Sequence, residues 1–444
     1  MKVACIGNMN NIMFTLCRYL RDKNFDASLF LFDDEADHFL PEADTYNDEY
    51  RKYTTQLSIG RASLHRKDLI EKVKPLLKDF DVFIGTDIAP ALVTLIGKRL
   101  NIFVPHGSDI YSYPFVKSPK KNVSKVWWSQ AIYFVGKIQK IGIENSELIL
   151  FPDEYDAHFP FKKKLNFKGE FLSLTVPMIY VPQYQNATTN SLSKGLKYFG
   201  TFNKIRASYD FIVFSHARQN GRNLLPADQI HDKGNHKLIS AFANFIVENK
   251  EIRSCLILFE YGINVNDAKN QINDLKISEH VIWMPKMQRK EILYGLTQAD
   301  VACGEFANSW LTCGVVNEAL AVNTPLIHFR EDKMYEKNFE ELYPILNAHT
   351  AVEILNQLKH AYSNKLDLTV IFKQGSKWIE KYTVLEPLEI IEKKLNQLES
   401  SLAAKQKISR WQLISIRIKY RIMVAWYQAP GKIRKIFRSK ATQN

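Results

Sequence analysis

The sequence predicts an α/β protein built from two doubly wound parallel sheets. Three observations carry this expectation. Short apolar runs alternate with amphipathic stretches through the first half, the alternation breaks over residues 178–210, and it restarts at Tyr209. Strands that alternate with helices read as βαβ units, because parallel neighbours need a crossover connection.

In the first half, Lys2–Gly7 reads as a strand and Asn11–Lys23 as a helix with Met13, Leu16, Cys17 and Leu20 on one face. Ala27–Phe32 is a strand, Lys67–Leu77 a helix, Asp81–Gly85 a strand, Ala89–Leu100 a helix and Ile102–Pro105 a strand. Val126–Ile141 is an aromatic-rich helix and Leu148–Pro152 a short strand. The polar stretch 178–210, with Pro182 and Asn186–Ser191, is the linker candidate. In the second half, Tyr209–Ser215, Ser254–Glu260, Val281–Met284, Asp300–Cys303 and Pro325–Phe329 read as strands. The intervening helices are Asn235–Asn249, Asn266–Leu275, Lys290–Leu296 and Val315–Val322, and 351–361 and 383–402 are helical as well. The expected domains are 1–190, 191–385, and a C-terminal helix with a basic amphipathic tail over 386–444. In open α/β sheets a ligand binds beyond the carboxyl ends of the strands, so a cleft between the two domains is the expected site.

Composition bounds the function. A chain of 444 residues, 46% hydrophobic and 24% charged, can bury two cores. The five cysteines form no C-x-x-C pair and most sit in apolar runs, as buried thiols in a reducing compartment do. No apolar run approaches the ~18 residues of a membrane span. The N-terminus turns polar at Asn8, too early for a secretory leader, so a cytoplasmic location is expected. The net charge is +13, and the last 44 residues hold eleven Lys or Arg with no Asp or Glu, which leaves 13 − 11 = +2 for the rest. The charge thus belongs to a tail, and no nucleic-acid motif accompanies it.

Three features of the second half converge on a diphosphate. Arg218 follows the strand that ends at Ser215, where a guanidinium can clamp phosphate oxygens bidentately. Lys233-Gly234 opens the next helix, with a point charge and close backbone approach. Gly314 and Val315 present free amides at a helix start, and Glu318 lies one turn on, placed to accept a ribose diol. Taken singly, each is also the pattern of a surface arginine, an ordinary turn or a helix-surface glutamate.

Together the residues have a familiar order. Lys233-Gly234, Trp283–Met287, Ala299-Asp300-Val301, Asn317-Glu318-Ala319-Leu320-Ala321 and Thr324–Ile327 resemble the donor half of retaining, metal-independent GT-B glycosyltransferases (group 1, family 4-like). His106-Gly107-Ser108-Asp109 resembles the HG-[ST]-D segment of their acceptor half. The resemblance spans roughly residues 1–395. It implies two Rossmann-like domains facing a cleft. It also implies Arg218, Lys233, Gly314 and Val315 on the donor diphosphate, Glu318 on the ribose, and Met284 and Met287 against the base. His106, Asp109 and Glu318 make up the expected catalytic set, although a structural histidine reads the same as His106. Gly7, Asn8 and Asn11, on the first strand-to-helix loop, are acceptor-side candidates. The expected donor is a UDP- or GDP-sugar, and neither metal nor cofactor is expected. The resemblance further implies transfer with retention, the leaving diphosphate helping to deprotonate the acceptor hydroxyl.

The sequence departs from the family at several points. Trp310 stands where relatives carry a second glutamate, with Glu305 further off. Cys313 takes the usual loop glycine's place, and Arg222 rivals Arg218 for the diphosphate.

Within the tail, residues 408–427 read as an amphipathic helix: Trp411, Ile414, Ile418, Ile422 and Trp426 lie opposite Arg410, Arg417 and Arg421. The tail over 405–440 is expected to hold an anionic membrane surface, each basic residue contributing ~1 kcal/mol. The same stripe would also suit docking onto the protein itself. The full expectation is a hexosyltransferase, peripheral on the inner face of the cytoplasmic membrane. It would act on a saccharide or lipid-linked saccharide acceptor in bacterial surface polysaccharide, O-antigen or capsule assembly. Two other readings share the diphosphate grip: a GT-B sugar-nucleotide epimerase and an inactive membrane-associated nucleotide-sugar-binding scaffold.

Overall fold

Consecutive apolar residues become strands buried on both faces, as parallel sheets between helix layers require. Val3–Ile6, Phe211–Phe214 and Ser254–Phe259 are buried at every position. The computed structural model describes residues 1–117, 126–152, 156, 160–184, 191–221, 231–401, 414 and 418. The chain divides into two units. The first comprises Met1–Ala36, Glu49–Val176 and Leu388–Asn444, and the second Asp37–Asp48 and Pro177–Pro387.

The first unit holds seven parallel strands: β1 (Lys2–Ile6), β2 (Asp26–Leu31), β3 (Thr54–Gln56), β4 (Val82–Gly85), β5 (Ile102–Phe103), β6 (Leu148–Leu150) and β7 (Glu170–Leu172). Their order is β3-β2-β1-β4-β5-β6-β7, so the winding reverses between β1 and β4. Lys2 pairs with Asp26 on one side of β1, and Val3 with Val82 on the other. Helices Ile12–Asp22, Lys67–Val73, Ala89–Leu95 and Val126–Glu144 connect the strands.

The second unit repeats the plan with six parallel strands: β8 (Phe211–Phe214), β9 (Ser254–Phe259), β10 (Val281–Met284), β11 (Val301–Cys303), β12 (Leu326–His328) and β13 (Leu346–Asn347). Their order is β10-β9-β8-β11-β12-β13, with the reversal between β8 and β11. Helices Asn235–Glu248, Val265–Asp274, Arg289–Thr297 and Gly314–Ala321 cross between the strands. Two doubly wound α/β units are what the alternation predicts.

The differences fall where a segment is short or polar. β3 and β7 are three-residue edge strands, and Thr54-Thr55-Gln56 has no apolar residue to announce it. Part of the expected linker folds as the helix Phe199–Ser208, which buries only Phe202 and Ile205 and so shows a weak apolar stripe. Helix Lys365–Ile379 precedes the expected C-terminal helix, and a π turn over Glu380–Leu385 joins it to Glu386–Ser401. From Leu388 onward that last helix belongs to the first unit, where Glu392 pairs with Lys23 at 3.4 Å. Among the described residues no helix is long and apolar enough to cross a membrane. Of the basic tail, Ile414 and Ile418 are described and both are exposed; the rest of 405–440, like Arg222, lies outside the described residues.

Candidate active site

The reversal point of the second sheet collects the residues on which the donor reading depends. His216 lies just past β8, and its Nε2 donates to Glu318 Oε2 at 2.7 Å. Arg289, the first residue of its helix, donates from Nε to Glu318 Oε1 at 2.9 Å. Burial pushes the Glu318 carboxyl up, but the His216 hydrogen bond and the Arg289 charge outweigh it, and the group lies below its ordinary range. Glu318 is therefore a buried, ionised carboxylate with each oxygen holding one protein donor. Each oxygen keeps a further lone pair for a ligand. Sequence reasoning found Glu318 but gave no role to His216 or Arg289.

Helix Gly314–Ala321, which carries Glu318, begins without a side-chain cap; its N-cap, Cys313, is extended. A Cβ built on Gly314 meets nothing within 4 Å, so a side chain at that position would find open space. Among the described residues, the buried atoms Ser215 Oγ, His216 Nδ1 and Asn317 Oδ1 have no hydrogen-bond partner. Buried polar atoms of this kind are ordinarily met by water or a ligand.

Lys233 pairs with Glu305 at 2.7 Å across the loops after β8 and β11. Two glycines allow the approach. Gly234 has φ +67°, and a Cβ there would lie 2.9 Å from Phe306 Cβ; a Cβ on Gly304 would lie 2.5 Å from His328 Nδ1. His328 has no exposed surface, accepts the Glu305 amide at Nδ1 (2.9 Å) and reaches the Trp310 carbonyl from Nε2 (3.0 Å). That pattern fixes the neutral ring with its proton on Nε2, and burial pushes its pKa down to about 4. One imidazole thus sets both ends of the loop from Glu305 to Trp310. Trp310 is itself buried, and Glu305 is spent on Lys233. Arg218 is exposed, and its carbonyl accepts the Asn220 amide at 2.8 Å. The Lys233 amide donates to the Asn220 carbonyl at 3.0 Å, so the backbone at Lys233 meets the chain two residues past Arg218. Met284 and Met287 are buried and pack in the core of this unit.

In the first unit, the carboxyl ends of the strands gather a second polar group. Asp109 is buried and accepts amides from His106 (3.1 Å), Gly107 (2.9 Å) and Asp87 (3.0 Å). It shapes the His106–Asp109 turn from inside, and burial pushes its carboxyl up to about 6. His106 Nε2 lies 3.7 Å from both Asp87 Oδ1 and Asp109 Oδ2. Burial alone would lower its pKa, but the two carboxylates raise it above the usual value. Arg61 donates from Nε to Asp87 Oδ1 at 3.1 Å. Glu35 accepts the Asn8 amide at 2.7 Å, and burial, with the Asp87 charge, pushes it up to about 7. Glu35, Asp87 and Arg61 went unrecognised in the sequence.

Gly7 has φ +79°, with Thr86 and Phe32 against the place of a Cβ. Asn8 and Asn11 are fully buried. The Asn8 side chain donates to Asn11 Oδ1 at 3.1 Å and accepts the Phe14 amide at 2.8 Å, so it braces the start of helix Ile12–Asp22.

No protein-family model matches the sequence, and no curated protein matches it. Solved structures do match over nearly the whole chain. Sucrose-phosphate synthase from Thermosynechococcus elongatus is 12% identical, covering 90% of this chain and 100% of its own, with a TM-score of 0.59. Anabaena HepE, in complex with UDP-glucose, is 14% identical over 90% and 100% of the two chains, TM-score 0.56. The α,α-trehalose 6-phosphate synthase from Burkholderia multivorans is 11% identical over 90% and 99%, TM-score 0.55. These neighbours are GT-B glycosyltransferases, and this chain has their fold.

Proposed function

We propose that the protein is a glycosyltransferase that moves a sugar from a nucleoside-diphosphate sugar to a saccharide acceptor. The observation that carries this reading is Glu318: a buried, ionised carboxylate held by His216 and Arg289, one turn into a helix whose N-terminus has no side-chain cap. A nucleoside diphosphate supplies a diol for the carboxylate and an anion for the amides of Gly314 and Val315. Lys233 and Arg218 add the charge that the departing diphosphate requires. The neighbour in complex with UDP-glucose supports the same donor class.

In the transfer, the bond between the anomeric carbon and the diphosphate oxygen breaks as the acceptor oxygen bonds to that carbon. The acceptor proton passes to the departing diphosphate, with retention at the anomeric centre. His106 serves the sugar or the acceptor, in a turn held by Asp109. The basic tail holds the enzyme at an anionic membrane surface, which suits a lipid-linked acceptor of surface polysaccharide assembly.

The test is incubation with a panel of UDP- and GDP-sugars. One donor should release nucleotide, faster with acceptor, and the product's anomeric configuration should match the donor's. Absence of nucleotide release from every donor removes the reading. Sedimentation with anionic vesicles tests the tail: a chain truncated after residue 404 that binds like the full chain overturns that part.

A further inference from the structure

The carboxylate that defines the site is oriented from outside its own helix. Arg289 is 7% exposed. Besides its bond to Glu318, it donates from Nη1 to the Met178 carbonyl at 2.7 Å, and the same nitrogen lies 3.8 Å from Asp44 Oδ2. Asp44 has no exposed surface. The Tyr184 hydroxyl donates to Asp44 Oδ1 at 2.7 Å, and Gln183 Nε2 donates to the Asp44 carbonyl at 3.0 Å. Lys290, next to Arg289, donates to the Thr45 carbonyl at 3.1 Å. Asp44 and Thr45 belong to the excursion Asp37–Asp48, which leaves the first unit's sequence between β2 and β3 and folds with the second unit.

A buried guanidinium needs anionic partners and filled donor positions. Here two carboxylates and a carbonyl meet that need, and the planar fork fixes them relative to one another. A ribose diol engages both oxygens of a carboxylate at once, so the orientation of the Glu318 plane decides whether one hydroxyl or two are met. Arg289 on Oε1 and His216 on Oε2 set that plane. Asp44 balances the Arg289 charge from the other side, so Glu318 is not its sole counterion.

We propose that Arg289 is a positioning residue for the ribose-binding carboxylate and that Asp44 is its anchor, so that residues 37–48 take part in nucleotide recognition by the second unit. The proposal rests on the reading of Glu318 given above. It predicts a loss of diol discrimination rather than a general loss of nucleotide affinity.

The experiment measures binding of UDP, GDP and their 2′,3′-dideoxy counterparts to the full chain by calorimetry. It compares wild type, Arg289→Lys and Asp44→Asn, with thermal unfolding of each. Wild type should prefer the ribose form of its nucleotide by ~10–100-fold, as expected for two hydrogen bonds to a charged acceptor. In both variants the preference should fall to within about threefold. A role in stability alone lowers Tm and leaves that ratio unchanged. Should Arg289→Lys fail to fold, Asp44→Asn carries the test, since Asn preserves the shape and can still accept from Tyr184. Variants that keep the wild-type ratio overturn the positioning role and leave the nucleotide site standing. A wild type that binds its nucleotide without preferring the ribose form overturns the ribose role of Glu318, and the proposal with it. A wild type that binds neither UDP nor GDP removes the functional reading itself.

Discussion

Lys233 and Glu305 form a 2.7 Å ion pair between the loops that follow β8 and β11, with side chains 13% and 7% exposed. The cation read as a diphosphate ligand is thus already paired by a carboxylate of its own unit, and an arriving diphosphate must compete for it. Glu305→Gln should weaken the fold by roughly 3 kcal/mol, the cost of leaving a largely buried charge unpaired. It should also tighten UDP or GDP binding several-fold. Urea unfolding and calorimetry check the two effects, which carry opposite signs. Looser binding would mean that Glu305 organises the site and does not compete for it.

His328 gives stability a pH dependence of known sign. Its folded pKa is depressed from 6.5 to about 4 by burial. The unfolded state therefore binds the proton first on acidification. The contribution is fully present above pH ~6.5 and is lost progressively as pH falls towards 4, by roughly 3 kcal/mol at most. Glu35 acts in the reverse direction: its folded pKa is raised to about 7, so its contribution is present at low pH and lost as pH rises from 4.5 to 7. Urea unfolding from pH 4 to 8 should show a shallower acid limb for His328→Gln and a flatter neutral limb for Glu35→Gln.

Gly314 and Gly234 should respond oppositely to alanine. Nothing lies near a Cβ at Gly314, and its φ lies outside the left-handed region. Gly314→Ala should therefore leave stability unchanged or raise it by about 0.5 kcal/mol, while the methyl narrows the approach to the amides and weakens UDP or GDP binding. Gly234→Ala forces a left-handed backbone and a methyl 2.9 Å from Phe306 Cβ, and should cost about 2 kcal/mol.

His106 and Asp109, paired in the motif reading, should separate on mutation. Asp109 accepts three buried amides. Asp109→Ala should cost at least ~2 kcal/mol, because those amides lose their acceptor. His106→Ala leaves those amides their acceptor, and should lower sugar transfer far more than it lowers Tm. Equal losses of stability in the two variants would contradict the division of roles.

The fold was legible because strands such as Phe211–Phe214 are continuous apolar runs spaced by amphipathic helices. β3 escaped because an edge strand of Thr-Thr-Gln needs no apolar face, and helix Phe199–Ser208 because its inward side is two residues wide. In the site, Lys233, Gly314 and Glu318 were legible because each stands at a helix start, a position with local sequence signals. Arg289 meets Asp44 only through the fold, and so does Arg61 its partner Asp87. No periodicity or cap marks such long-range pairs. Arg289 reads as one more charge at the start of an amphipathic helix, and Asp44 as part of a polar loop. Asn8 and Asn11 were found by position, but their burial shows in the helix they brace and not in the sequence.

On the proposed function, Glu318 and Lys233 hold a nucleotide-sugar donor. The most direct test is the rate of nucleotide release from the preferred donor by wild type, Glu318→Ala and Lys233→Ala, each shown folded by thermal unfolding. Release should fall ~100-fold or more in each variant, consistent with the loss of charged hydrogen bonds. Wild-type rates in both variants would contradict the assignment.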